Sequence, residues 1–244
     1  YNGNPSFPMM PERGAFISKN AWLGVKAGYE FDDVYDRKLK LVGQGNPNAR
    51  KHVQESKYRS QFGVLTLNFG DRVEVFSTLG TLSLSVVHRP FKNTKVSYRT
   101  DSDFAWGVGG RVLLVYWGDV QLGVNASYVA SDLSLHSLKV NGQSYSRKGA
   151  EVDFREWQVG IGVSYRWRWI APYLGVDYSD YRSRFEYLDS MRPIFPSRHV
   201  TFKDCYPMGL YLGFGLFPER AINVNVEARL INENAFSVSG DFRF

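Results

Sequence analysis

Four histidines, one cysteine and a set of charged residues placed on alternating positions are the groups through which this 244-residue chain could act. His52, His88, His136 and His199 all fall in or beside long connections between periodic segments. Gathered there, they could hold a metal, or His88 or His136 could join a nearby carboxylate and activate water as a loop-borne hydrolase does. No spacing resembles H-E-x-x-H, and no G-x-S-x-G is present to supply an activated serine. Gly107-Val108-Gly109-Gly110 sits in mid-segment and lacks the lysine of a phosphate loop. Scattered loop histidines are the simpler reading, with no catalytic residue, metal ligand or cofactor implied. Cys205 lies just before Pro207 in another long connection. In an oxidising compartment such a thiol can form an intermolecular disulfide; otherwise it stays unpaired and partly buried.

The elements that must position these groups are strands. No run approaches the roughly 20 apolar residues of a membrane helix, whereas two-residue alternation recurs throughout. In 221–231, Ile222, Val224, Val226, Ala228 and Leu230 share one face, while Asn223, Asn225, Glu227 and Arg229 share the other. After a turn at 232–234, Phe236, Val238, Gly240, Phe242 and Phe244 oppose Ser237, Ser239, Asp241 and Arg243. Trp157, Val159, Ile161, Val163, Tyr165 and Trp167 alternate with Gln158, two glycines, Ser164 and Arg166. An apolar face set against a face of Gly, Ser, Asn and charge fits a sheet on a soluble core, or lipid outside and water inside. The 17 Phe, 15 Tyr and 6 Trp gather at strand ends, which a barrel with aromatic girdles explains better than a soluble sandwich.

The strands expected are 22–39, 58–69, 73–87, 103–117, 120–136, 153–168, 171–188, 208–217, 221–231 and 235–244. A bulge near 77–80 would reconcile Val73 and Val75 with Leu82, Leu84 and Val86, which have opposite parity. Short connections at 70–72, 118–119, 169–170 and 218–220 alternate with long ones near 40–57, 88–102, 137–152 and 189–207. Short periplasmic turns and long surface loops are the habit of outer-membrane barrels. The expectation is therefore all-β: a closed antiparallel transmembrane β-barrel of about ten strands, within a range of 8–12, occupying 22–244. Residues 1–21, with Pro5, Pro8 and Pro11, form an N-terminal extension or a lumen plug. The formal charge is +6, but lysines and arginines are interleaved with 24 acidic residues, so no nucleic-acid patch is expected.

By parity, Lys26, Glu30, Arg111, Asp177, Glu227, Arg229, Asp241 and Arg243 line the lumen. Charged rings select ions by sign; the same groups could instead form a salt-bridged filling, since about eight strands leave an interior just filled by side chains.

Several stretches resemble the chlamydial major outer membrane porin family: 72–81 (RVEVFSTLGT), 103–111 (DFAWGVGGR), 156–176 (EWQVGIGVSYRWRWIAPYLGV) and 226–244 (VEARLINENAFSVSGDFRF). The opening 26–40 is similar too. The resemblance implies an outer-membrane barrel passing ions and small polar solutes by diffusion, lipid as its surroundings, and homo-oligomers as possible partners. Family members are richer in cysteine and longer, so this chain reads as a compact relative. Phe242 and Phe244 resemble the aromatic ending that barrel-assembly machinery recognises, with Gly240 one place off the usual glycine. A surface barrel with a closed lumen and partner-binding loops is the alternative.

Overall fold

A computed structural model describes residues 4, 8, 22–42, 50–146, 150–186, 199–216 and 221–244. Among them fourteen strands form one antiparallel sheet. They are β1 (Leu23–Arg37), β2 (Leu39–Val42), β3 (Val53–Phe69), β4 (Val73–Phe91) and β5 (Thr94–Thr100). Then follow β6 (Asp103–Trp117), β7 (Val120–Val140), β8 (Gln143–Ser144), β9 (Glu151–Tyr165) and β10 (Ile170–Glu186). The last are β11 (Val200–Asp204), β12 (Met208–Leu216), β13 (Ile222–Leu230) and β14 (Glu233–Arg243). Ten of these close a ring: β1 pairs β3, then β4, β6, β7, β9, β10, β12, β13 and β14 follow, and β14 returns to β1. This is the closed barrel that the alternation predicts.

Closure satisfies every ladder in a solvent that offers no hydrogen bonds, and the outward residues show what that solvent is. On β9 they run Trp157, Val159, Ile161, Val163 and Tyr165, all exposed. Nine residues, about 26 Å along the strand, are about the number a tilted strand needs to cross the hydrocarbon layer. Trp22, Trp117, Tyr165 and Trp169 mark its short-turn edge; Tyr29, Phe104, Trp106, Trp157 and Tyr178 mark the other. At Gly70-Asp71 both residues have positive φ (56° and 55°), which gives the tight mirror-image turn that joins twisted strands.

Above the band the construction changes. β6 leaves β4 at Leu82↔Asp103, and β5 takes its place between β4 and β7. β12 leaves β10 at Tyr178↔Met208, and β11 follows from Arg182↔Lys203. β11 pairs β2, and β2 meets β3 through the Lys40↔His52 bridge and a Leu41 N–H to Lys51 carbonyl bond of 2.6 Å. The upper ring thus has eight strands: β2, β3, β4, β5, β7, β9, β10 and β11.

The faces also invert. Outward positions become polar (Lys57, Arg59, Ser83, Asp132, Arg155), and inward ones become apolar. Leu39, Leu84, Val86, Tyr98, Phe154, Phe185 and Phe202 are buried together there. Tyr98 and Phe185 have ring centroids 4.7 Å apart, and Phe185 meets Phe202 edge-on at 5.5 Å. An eight-stranded ring is filled by its own side chains, so this upper storey is a small water-facing barrel with a solid core.

That inversion corrects the expected bulge near 77–80. The β3–β4 register runs unbroken from Glu55↔Val87 to Phe69↔Val73. Glu74, Phe76, Thr78, Leu82, Leu84 and Val86 share one inner face, which turns from polar to apolar as the strand leaves the membrane. Register shifts fall elsewhere, at Val34/Asp36 in β1, Leu113/Val115 in β6 and Arg99/Thr100 in β5. The long connections expected at 88–102 and 189–207 are corrected too, since they contain β5 and β11. β3, β4 and β7 run several residues beyond their expected ends, because their apolar positions pack in the upper core rather than stopping at lipid.

Candidate functional site

Alternation aims the polar half of each membrane strand inward, where oppositely charged groups meet in two clusters. In the lower one Glu74 of β4 pairs with Lys26 of β1 and with Arg111 of β6, whose Nη1 lies 3.4 Å from Oε2. Asn68 donates to the same carboxylate at 3.2 Å, and Arg111 lies 4.4 Å from the Phe76 ring centroid. Asp241 and Arg243 of β14 face this level; Asp241 accepts from Asn223 at 3.4 Å, and Arg243 is buried. Midway, Tyr173 donates to Glu227 at 3.2 Å, and Gln158 donates to Asp177 at 2.9 Å. Glu30, half-buried, stands between the two clusters.

The upper cluster is a belt at the junction of the storeys. Arg229 binds both oxygens of Asp32 at 2.7 Å and pairs with Glu233. Glu233 reaches on to Arg37 at 3.0 Å. Arg37 then grips Asp204 with Nε and Nη2 (2.8 and 2.9 Å), Glu156 at 2.6 Å and the Ser179 hydroxyl at 3.1 Å, with its guanidinium 4.7 Å from the Tyr181 ring centroid. One side chain thereby ties β1 to β9, β10, β11 and β14. The β1 shift at Val34/Asp36 turns Arg37 inward, so simple parity from Lys26 and Glu30 misses it. Asp32, Glu74 and Glu156 were open to the parity argument; Glu233, in an expected turn, and Asp204, on a strand inside an expected loop, were not.

Small spaces remain among these charged groups. A small space lined by Asn4, Asn125, Tyr211 and Arg111 is followed by one lined by Arg111, Lys26, Asp241 and Glu30. A third small space runs from Glu30 and Asp32 to Phe62, Leu82 and Phe154. Consecutive spaces share Arg111, then Glu30, and the series ends on the floor of the apolar core. Large rings lie against the wall instead of across the bore, because glycines make room for them: a Cβ on Gly109 would meet the Phe76 ring at 2.3 Å, and one on Gly175 the Tyr211 ring at 2.3 Å. Most of 1–21 lies outside the described residues. Asn4 donates to Asn225 at 3.4 Å, and the Pro8 carbonyl accepts from Asn68 at 2.9 Å, both inside the barrel.

The histidines do not converge. His88 is part of β4, not of a loop, and is fully buried with its ring 5.9 Å from Phe202. Burial among apolar neighbours lowers its pKa to about 4, only partly opposed by the His52 backbone, so the ring is neutral at pH 7. His136 Nδ1 is 2.7 Å from Asp101 on the exposed outer wall. His52 stands 3.6 Å from the half-buried Cys205 thiol, which burial holds above its ordinary pKa. His199 precedes β11. Among the described residues, no group of three His, Cys, Asp or Glu could hold a metal.

Comparison with known proteins agrees with this architecture. A family model described as Chlamydia major outer membrane protein matches residues 141–206. A major outer membrane porin of Chlamydia pneumoniae is 25% identical, over 99% of this chain and 93% of the relative. One from Chlamydia trachomatis serovar D is 23% identical, over 91% and 86%. The first alignment spans 366 positions against 244 residues here, so the relative carries insertions that this chain lacks. Among solved structures, the outer membrane protease OmpT of Escherichia coli gives a TM-score of 0.46 at 11% identity, covering 91% of this chain and 97% of that one. With a closed ten-stranded ring, an apolar band between aromatic girdles and a charged inner face, the chain is a compact outer-membrane β-barrel of the porin type, similar over most of its length to the chlamydial major outer membrane porins.

Proposed function

We propose that this barrel passes ions and small polar solutes by passive diffusion, through a charged lower lumen and an apolar outer constriction that must part for conduction. The reading rests on one observation above all: the small spaces, each with charged side chains in its lining, that succeed one another from Asn4 to the floor of the upper core. Apolar constrictions gate pores by excluding water. Of the inner-face groups named above, nine are carboxylates (Glu30, Asp32, Glu74, Glu156, Asp177, Asp204, Glu227, Glu233, Asp241) and five are cations (Lys26, Arg37, Arg111, Arg229, Arg243). That imbalance favours cations. The role is passage rather than hydrolysis. Residues 1–21 act as a plug entering from the short-turn end, which the Asn4 and Pro8 contacts support. Phe242 and Phe244 serve as the assembly signal, and Cys205 is the one thiol through which like subunits could be linked.

The test is the zero-current potential of purified protein in a planar bilayer under a potassium chloride gradient. Cation-selective steps are expected, with Glu30→Gln plus Asp241→Asn moving the potential toward zero. Anion selectivity would overturn the lining. A silent bilayer with protein migrating as folded would instead favour a closed surface barrel, the reading to which the solid upper core lends support.

A further inference from the structure

Strand register in the upper storey aligns an unusual row of outward side chains. Arg155 of β9 is directly opposite Arg182 of β10, and Arg182 is opposite Lys203 of β11. Lys203 is opposite Lys40 of β2, and Lys40 bridges to His52. Four neighbouring strands therefore place four permanent cations in one row, although like charges directly opposite each other destabilise a sheet. Arg155, Arg182 and Lys40 are exposed and Lys203 is half-exposed.

Local carboxylates neutralise only one end of the row. Asp153 pairs with Arg155 at 2.9 Å and Glu186 with Arg184, while Asp204 points inward to Arg37. Asp180 lies two residues below Arg182, opposite Trp157. Among the described residues, no ion pair engages Arg182, Lys203 or Lys40. Directly beneath the row is the edge of the apolar band: Trp157, Tyr178, Tyr206 and Met208 are exposed, and Lys38 Nζ stands 5.9 Å from the Tyr206 ring centroid. Arg155 is two residues above Trp157 and Arg182 four above Tyr178, about 7 and 13 Å along tilted strands. That is the depth of lipid headgroups.

We propose that Arg155, Arg182, Lys203 and Lys40 form a binding site for the phosphates of a phosphorylated glycolipid in the outer leaflet, whose acyl chains lie against Trp157, Tyr178 and Met208. Phosphate accepts charge-assisted bonds from arginine and lysine together, which relieves the repulsion within the row. A soluble polyanion would have no use for the apolar edge below it. This site is independent of whether the lumen conducts.

Native mass spectrometry of the full chain in detergent, titrated with bisphosphorylated lipid A, tests the proposal, with folding checked by heat-modifiable migration. The protein should bind lipid A in preference to its dephosphorylated form. Arg182→Gln, Lys203→Gln and Lys40→Gln combined should weaken binding about tenfold or more, while raising thermal stability in lipid-free detergent. If the triple variant does not fold, Lys203→Gln alone decides, with about a threefold loss expected from removing the central cation. Unchanged lipid A affinity in the folded variants would overturn the site. Equal binding of dephosphorylated lipid, or a soluble sulfated polysaccharide binding as tightly as lipid A, would overturn the assignment to a lipid phosphate.

Discussion

Replacing Arg37 by alanine should destabilise the folded barrel by about 3–5 kcal/mol, the range for removing one partner of a buried ion pair. The side chain is fully buried and engages Asp204, Glu156 and Glu233 together. Its loss leaves three carboxylates facing one another, with only Arg229 near enough to compensate Glu233. Arg37→Lys should recover a minor part, because an ammonium cannot reproduce the forked grip on both Asp204 oxygens. Urea unfolding in detergent–lipid micelles, followed by the shift between folded and unfolded electrophoretic mobility, would report the change. A loss below about 1 kcal/mol, the range of a surface ion pair, would show that the belt is not a structural junction.

The second large effect concerns conduction. Tyr98→Ala or Phe202→Ala removes a ring from the centre of the upper core, where Tyr98, Phe185 and Phe202 meet. Each truncation should cost about 3–5 kcal/mol of stability and let water past the apolar constriction. Open probability or unit conductance in planar bilayers should rise about tenfold, because an apolar constriction blocks by excluding water. Ion selectivity should stay unchanged, since the charged lumen below is untouched. Unaltered conductance in a folded variant would move the constriction elsewhere in the bore.

The barrel was legible because its membrane strands obey one rule: apolar toward lipid, polar inside, with aromatics at both edges. Trp157 to Tyr165 and Ile222 to Leu230 state that rule without exception. The upper storey was not legible, because alternation is blind to inside and outside. Leu82, Leu84 and Val86 alternate with serines much as lipid-facing residues do, and only closure into eight strands turns them inward. Two signals were available and went unused. Val96 and Tyr98 alternate with Ser97 and Arg99 inside an expected loop, and Asn141-Gly142, both at positive φ (49° and 86°), marks the β7–β8 hairpin. The charged belt was half visible. Arg229 was reached by parity, but Arg37 depends on the irregularity at Val34/Asp36, which no periodicity reveals. The cationic row depends on register between strands distant in sequence, and β11 and β2 were read as connection and strand end.

The central claim, a polar lumen reached from the short-turn side and sealed outside by an apolar core, is tested most directly by sided thiol labelling. Cys205→Ser removes the native thiol, and Ser239→Cys places one on the inner face of β14, beside the space lined by Lys26 and Arg111. In oriented vesicles, a membrane-impermeant maleimide applied from the short-turn side should react past the edge of the N-terminal plug, faster than from the opposite side. From the loop side it should react slowly, and Phe202→Ala should make that labelling fast. Equal, rapid labelling from both sides in the protein with an intact core would contradict the seal.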